Sequence, residues 1–174
     1  RQVAKVGTVR AVVLNSGGAN ACTGPQGFAD THRTAEHAGQ LLNVSSAEVI
    51  VCSTGLIGEL LPMDKIILGL DSIAKNLNSD GLQSSAQAIM TTDSVPKISS
   101  AVVDGAQFAG IAKGAGMLAP ALATMLSVVM TDAIVSTNAQ DIFQRATDRT
   151  FNRIDSDGCT STNDTVLFMS SGAS

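Results

Sequence analysis

The 174-residue chain has no Trp and no Tyr, and aromatic residues make up only 3% of it. It therefore lacks the stacking platforms that hold exposed bases. Charged residues are sparse at 15%, with a formal net charge of −4. No basic stripe is present to neutralise phosphates, which excludes nucleic acid as a partner. The three cysteines, Cys22, Cys52 and Cys159, are widely spaced, and His32 and His37 lie far from any cysteine pair. Neither a disulfide framework nor a zinc site is indicated. Free thiols fit a reducing compartment, so the cytoplasm is expected, or the mitochondrial matrix in a eukaryote. Asp155-Ser-Asp157-Gly158 has the outline of a calcium loop, but its Gly comes too early. The twelfth position is Val166, where a bidentate Glu is required. The first residues, Arg-Gln-Val-Ala-Lys-Val-Gly, contain no apolar signal segment. The uncharged stretch between Lys113 and Asp132 approaches a membrane span in length. Gly114, Gly116 and Pro120 mark it instead as a buried core segment, and no membrane partner is expected.

The remaining composition is 44% hydrophobic with 16 Gly. That suffices for one domain over 1–174 with a core of Ala, Val, Ile, Leu and Met. Both ends read as cut from a longer protein. Val9–Leu14 predicts a buried strand running into a structured loop, Asn15-Ser-Gly-Gly-Ala-Asn20-Ala-Cys22-Thr-Gly-Pro25. The loop matches neither Gly-x-Gly-x-x-Gly nor the P-loop. A helix is expected over Phe28–Leu42, capped by Asp30 or Thr31, with His32 and His37 on its wet face. Glu48–Cys52 predicts a second buried strand. It ends in Ser53-Thr54-Gly55-Leu-Ile-Gly58, a hydroxyl and a glycine amide suited to a developing negative charge. A plain strand–turn–helix corner fits the same spacing.

Helices are expected from Pro62-Met-Asp64 onward and over Leu82–Met90. A hairpin turning at Asp104-Gly105 should follow, and then a helix capped by Thr137 or Asn138. Asp157-Gly-Cys-Thr-Ser161-Thr162-Asn163-Asp164-Thr165 is a dense polar stretch before the strand Val166–Met169. It suits either a polar substrate or a self-satisfied turn. Strands alternate with helices, so the class is α/β with layered helices.

Lys113-Gly-Ala-Gly-Met-Leu-Ala-Pro, followed by Ala123-Thr124-Met-Leu, is a Gly-rich turn feeding an apolar run with one hydroxyl at its mouth. A Thr becomes a nucleophile when a base sits beside it, and its own α-amine at a chain N-terminus is such a base. Residue type and spacing alone favour an ordinary β-branched Thr124, because no residue pattern marks a self-cleaving bond.

These blocks, with Ala11–Gly24, Cys52–Gly58, Ile89-Met-Thr91-Thr92-Asp93 and Asp157–Thr165, resemble the ornithine acetyltransferases. They come in that family's order across essentially the whole chain. The resemblance implies a layered α/β sandwich with a mixed sheet and flanking helices, a self-processing enzyme of the N-terminal-nucleophile type. It implies self-cleavage between Ala123 and Thr124, so that 1–123 belongs to an α chain and 124–174 begins a β chain. It implies glutamate N-acetyltransferase activity in arginine biosynthesis, through an acetyl-Thr124 intermediate. Acetyl passes from N-acetylornithine to glutamate without a cofactor. Thr54 and Gly55 are implied as the oxyanion hole, and Lys113, Thr124 and a Thr of the Thr91-Thr92 pair as substrate contacts. The assembly implied is a heterotetramer of two α and two β chains. Acetyl-CoA as a second donor, and hence acetylglutamate synthase activity, stays open. The alternatives are a related self-cleaving aminopeptidase or a non-catalytic amino-acid-binding domain. Ala121 departs from the Asn common in the family. The family's chains are much longer, so a catalytic carboxylate and further contacts are expected outside this sequence.

Overall fold

The computed structural model describes residues 7–119, 122–123 and 125–173. The chain divides into two compact units, Arg1–Gly81 and Leu82–Ser174.

The first unit is built on a strand–helix–strand crossover. Strands β1 (Ala11–Asn15) and β2 (Val49–Ser53) pair in parallel, Ala11 opposite Val49 through Asn15 opposite Ser53. Parallel neighbours need a long connection, and helix α1 (Gly24–Leu42) supplies it. The alternation of the strands puts Ala11, Val13, Val49 and Val51 against Ala35 and Ala38 of α1. Ile66 and Leu70 of helix α2 (Met63–Ala74) close the same core. Helix α1 begins four residues earlier than the sequence suggests. Pro25 stands in its first turn, where a fixed φ and a missing N–H do no harm. Asp30 therefore lies inside the helix, buried, and accepts the Gln26 Nε2 amide at 2.9 Å rather than capping the end. Thr31 hydrogen-bonds within the helix to the Gly27 carbonyl. His37 is not simply solvated: its Nε2 lies 2.7 Å from Asp71 Oδ1 on α2.

The second unit carries a four-stranded mixed sheet in the order β3-β4-β7-β8. A short helix α3 (Leu82–Ala88) leads to the antiparallel hairpin of β3 (Lys97–Val103) and β4 (Ala106–Lys113). Its turn is Asp104-Gly105, at φ +50 and +88, the left-handed pair that two-residue hairpins require. After the bend at Gly114–Met117, β5 (Leu118–Ala119) and β6 (Leu122–Ala123) form a small antiparallel ribbon. Strand β7 (Leu126–Thr131) then pairs antiparallel with β4, and β8 (Thr165–Ser170) joins β7 in parallel. Helix α4 (Ala139–Arg149) makes the β7-to-β8 crossover and stacks Phe143 against Phe168, ring centres 5.6 Å apart. It is preceded by Asn138 as expected, though without a side-chain cap bond. The class read from the sequence, α/β with a mixed sheet and flanking helices, is the one observed.

Candidate active site

In the first unit, the two loops that follow β1 and β2 are laced together by backbone. Thr54 N–H donates to the Asn15 carbonyl at 3.0 Å, Ala19 N–H to Leu56 at 2.8 Å, and Gly58 N–H to Ala21 at 3.0 Å. The Asn20 amide N–H donates to Ser53 Oγ at 2.7 Å, and its side-chain Nδ2 donates to the Gly27 carbonyl at 2.7 Å and Thr31 Oγ1 at 2.6 Å. Thr54 is 2% exposed in this weave. Gly55 sits at φ +129, and a Cβ there would lie 2.4 Å from the Gly17 carbonyl carbon. Only a glycine lets the chain pass so closely.

In the second unit the central feature is a lysine in the protein interior. Lys113 ends β4, is 2% exposed, and donates from Nζ to Thr91 Oγ1 at 2.9 Å. A buried ammonium persists only with polar or charged company. Burial pushes its pKa down, and the nearby Lys97 charge adds to that; Asp93 and Asp164 pull it back up. Asp93 is the clamp beside it. Its Oδ1 accepts the Gly114 N–H at 2.8 Å and the Lys97 ammonium, and its Oδ2 accepts the Thr91 N–H at 3.3 Å. Burial alone would raise the Asp93 carboxyl. The Lys97 ammonium and the two backbone N–H groups outweigh it and hold the group below its ordinary value. Thr91, Asp93, Lys113 and Gly114 are thereby tied into one cluster.

The stretch beyond Lys113 is held by carboxylates from the polar stretch before β8. Asp157 Oδ2 accepts the Met117 N–H at 2.7 Å, and Asp164 Oδ1 accepts the Met125 N–H at 3.0 Å. Met125 and Leu118 are buried together against Phe151 and Val166. Burial raises the Asp164 pKa, opposed by the Met125 N–H, the Ser161 hydroxyl and the Lys113 charge. Thr124, the predicted nucleophile, lies outside the described residues, as do Pro120 and Ala121. Ala123 ends β6. Thr92 is exposed in the bend before β3.

A sequence model of the ArgJ family matches residues 1–174. The chain belongs to the ArgJ family. It is 60% identical over 174 residues to the arginine biosynthesis bifunctional protein ArgJ of Streptomyces coelicolor, covering 99% of this chain and 45% of that protein. The ArgJ of Thermobifida fusca is 55% identical over 175 residues, covering 100% of this chain and 46% of its own length. This chain thus spans less than half the length of the curated ArgJ relatives it matches. Two solved structures are similar as well. One is ornithine acetyltransferase from Mycobacterium tuberculosis complexed with ornithine: TM-score 0.59, 45% identity, covering 69% of this chain and 66% of that one. The other is ArgJ from Bacillus halodurans: TM-score 0.60, 35% identity, covering 72% of this chain and 66% of that one.

Within the ArgJ blocks, the structure brings Thr91 and Lys113 together, and it adds Asp93, Lys97 and Asp164, which the sequence did not single out. Both aspartates stand inside blocks that carry the family resemblance, and that was the available signal. An apolar cavity of about 450 Å³ beside α4, walled by Phe108, Val129, Phe143 and Phe168, offers no charged group. Among the described residues no helix is long and apolar enough to cross a membrane.

Proposed function

We propose that this ArgJ chain carries the nucleophile and the carboxylate-binding lysine of a glutamate N-acetyltransferase of arginine biosynthesis. One observation carries the reading: a 2%-exposed ammonium, Lys113, held on Thr91 at the head of the stretch that leads to Ala123–Thr124. Such a group is poised to take an anion. An α-carboxylate, present on both N-acetylornithine and glutamate, is the anion that acetyl exchange between amino acids presents.

The chemistry proceeds in two stages. In the precursor, Thr124 Oγ attacks the Ala123 carbonyl carbon, the peptide C–N bond breaks, and an ester remains. Breaking that C–N bond frees the Thr124 α-amine, whose ordinary pKa of about 8 suits a general base at neutral pH, and water then hydrolyses the ester to release the Thr124 hydroxyl and the Ala123 carboxylate. In the mature enzyme the amine takes the Oγ proton as Oγ attacks the acetyl carbon of N-acetylornithine. The oxyanion is assigned to the Thr54 hydroxyl and the Gly55 N–H; losing one such donor typically slows turnover by about 100–1,000-fold. Ornithine leaves with the proton; the glutamate amine then attacks the acetyl carbon, the ester bond to Oγ breaks, and the Thr124 α-amine passes the proton lost by the glutamate nitrogen to Oγ, giving N-acetylglutamate and free Thr124. The mature assembly is proposed as two α and two β chains.

The test uses the full-length protein. Wild type is expected as two fragments, the second beginning Thr-Met-Leu. N-acetylornithine without glutamate should then leave an acetyl group on that Thr. Thr124→Ala is expected uncut and inactive. An active Thr124→Ala protein, or an acetyl group on another residue, sinks the reading. Peptide hydrolysis in place of acetyl transfer would turn it to the aminopeptidase alternative. Supplying acetyl-CoA with glutamate decides whether acetylglutamate synthesis is a second activity.

A further inference from the structure

The chemistry above gives Lys113 a task and gives none to the carboxylate beside it. The Asp93 side chain is shut off from solvent. Its two oxygens hold the two ends of one contact. Oδ1 accepts the N–H of Gly114, the residue that follows Lys113, at 2.8 Å. Oδ2 accepts the Thr91 N–H at 3.3 Å, and the hydroxyl of that same Thr91 accepts from Lys113 Nζ at 2.9 Å. Lysine, threonine and carboxylate thus close a ring, with the carboxylate gripping both backbones.

Charge runs through the same ring. An ammonium taken out of water sheds its proton unless an opposite charge stands near. A neutral lysine offers an α-carboxylate no charge-assisted bond. The charged groups acting on Lys113 are Asp93, Lys97 at the start of β3 and Asp164 before β8. Burial pushes its pKa down; Asp93 opposes this most strongly, Lys97 adds to it, and Asp164 opposes it less. Lys97 is half-exposed and donates to Asp93 Oδ1.

We infer that Asp93 is the positioning residue of the substrate-binding lysine: it holds the Lys113 ammonium against Thr91 and supplies the counter-charge that keeps it an ammonium, while Lys97 shares and tempers that counter-charge. This role rests on the reading of Lys113 as the α-carboxylate anchor. It gives the two neighbours opposite signs. Without the Asp93 charge, Lys113 loses its proton at lower pH. Without Lys97, a repelling cation is gone and the Asp93 charge acts on Lys113 undivided, so the proton is held to higher pH. A carboxylate that merely braced the fold would produce neither shift.

The experiment uses the full-length enzyme and two donors, N-acetylornithine and its α-carboxamide. The ratio of their kcat/KM values is followed against pH in wild type, Asp93→Asn, Lys97→Met and Lys113→Met. Groups that act on both donors alike cancel in that ratio. Wild type should prefer the acid by about 10–100-fold, the worth of one charge-assisted hydrogen bond. Asp93→Asn should shrink the preference about tenfold, and the pH at which it disappears should fall by about one unit. Lys97→Met should move that pH upward. General damage to the site would slow both donors together and leave their ratio alone.

An Asp93→Asn enzyme that keeps the wild-type preference, or loses it at the wild-type pH, overturns the inference. A Lys97→Met enzyme whose preference disappears at the wild-type pH or below it does the same, and this variant decides alone if Asp93→Asn does not fold. Lys113→Met separates the two readings. With the preference gone there but intact in Asp93→Asn, only the role of Asp93 falls. With the preference intact in Lys113→Met, the carboxylate anchor falls and the role of Asp93 with it.

Discussion

Replacing Gly55 with Ala tests the close passage of the two loops in the first unit. An added Cβ would lie 2.4 Å from the Gly17 carbonyl carbon, 2.7 Å from its oxygen and 2.7 Å from the Gly18 nitrogen. All three are backbone atoms, so no side chain can swing aside. The residue also sits at φ +129, where a side chain is strained in any case. Gly58, at φ +89 with nothing within 4 Å of its added Cβ, is the matched control: strain without collision. Backbone strain contributes about 1–3 kcal/mol in both variants. Overpacking adds about 1–3 kcal/mol in Gly55→Ala alone. The entropy that Ala removes from the unfolded chain is shared and cancels in the difference. For a chain of this size about 1 kcal/mol moves Tm by roughly 2–4 °C. Gly55→Ala should therefore melt roughly 2–12 °C below Gly58→Ala. Far-UV circular dichroism is the suitable probe, because the chain has no Trp or Tyr to report by fluorescence. Equal melting of the two variants to within about 0.5 kcal/mol would refute the close approach, that being the ordinary scatter of a surface substitution.

Lys113→Met keeps most of the side-chain volume but removes the charge. Because an interior ammonium is costly relative to methylenes, stability should hold or rise by about 1 kcal/mol. Acetyl transfer by the full-length enzyme should fall roughly 10–100-fold, the worth of one charge-assisted hydrogen bond. A large loss of Tm with intact kinetics would reverse the assignment. Asp93→Asn should flatten the acid side of the stability profile. The native Asp93 carboxyl is depressed, so the unfolded chain takes its proton first. The contribution is complete above the ordinary carboxylate value near 4 and fades as pH falls through the depressed native one. Denaturant midpoints measured across that range for wild type and variant should converge at the acid end; parallel curves would count against the clamp.

What the sequence disclosed followed from local rules. The β-branched run before Asn15 and the hairpin at Asp104-Gly105 are written in periodicity and turn chemistry, which act over a few residues. The start of α1 was misplaced because Pro25 reads as loop punctuation, although a proline is equally at home in a first helical turn. His37 was read as solvated because its partner, Asp71, stands 34 residues away on another helix. The site divides in the same way. Thr91 and Lys113 were legible through family resemblance, but their contact spans 22 residues and has no local signature. Asp93 and Asp164 each stand in a polar stretch, where a carboxylate that binds backbone 21 or 39 residues distant looks like any solvated one.

Strand β7 begins two residues after Thr124 and lies between β4 and β8, six residue pairs on either side. A cut at Ala123–Thr124 would break none of those ladders. The two products would share one sheet, with a central strand of one piece threaded between a strand of the other and one of its own. Their association would then resemble fragment complementation more than subunit docking. Dilution alone should not part them, and the rate at which they exchange partners should be limited by unfolding of the sheet.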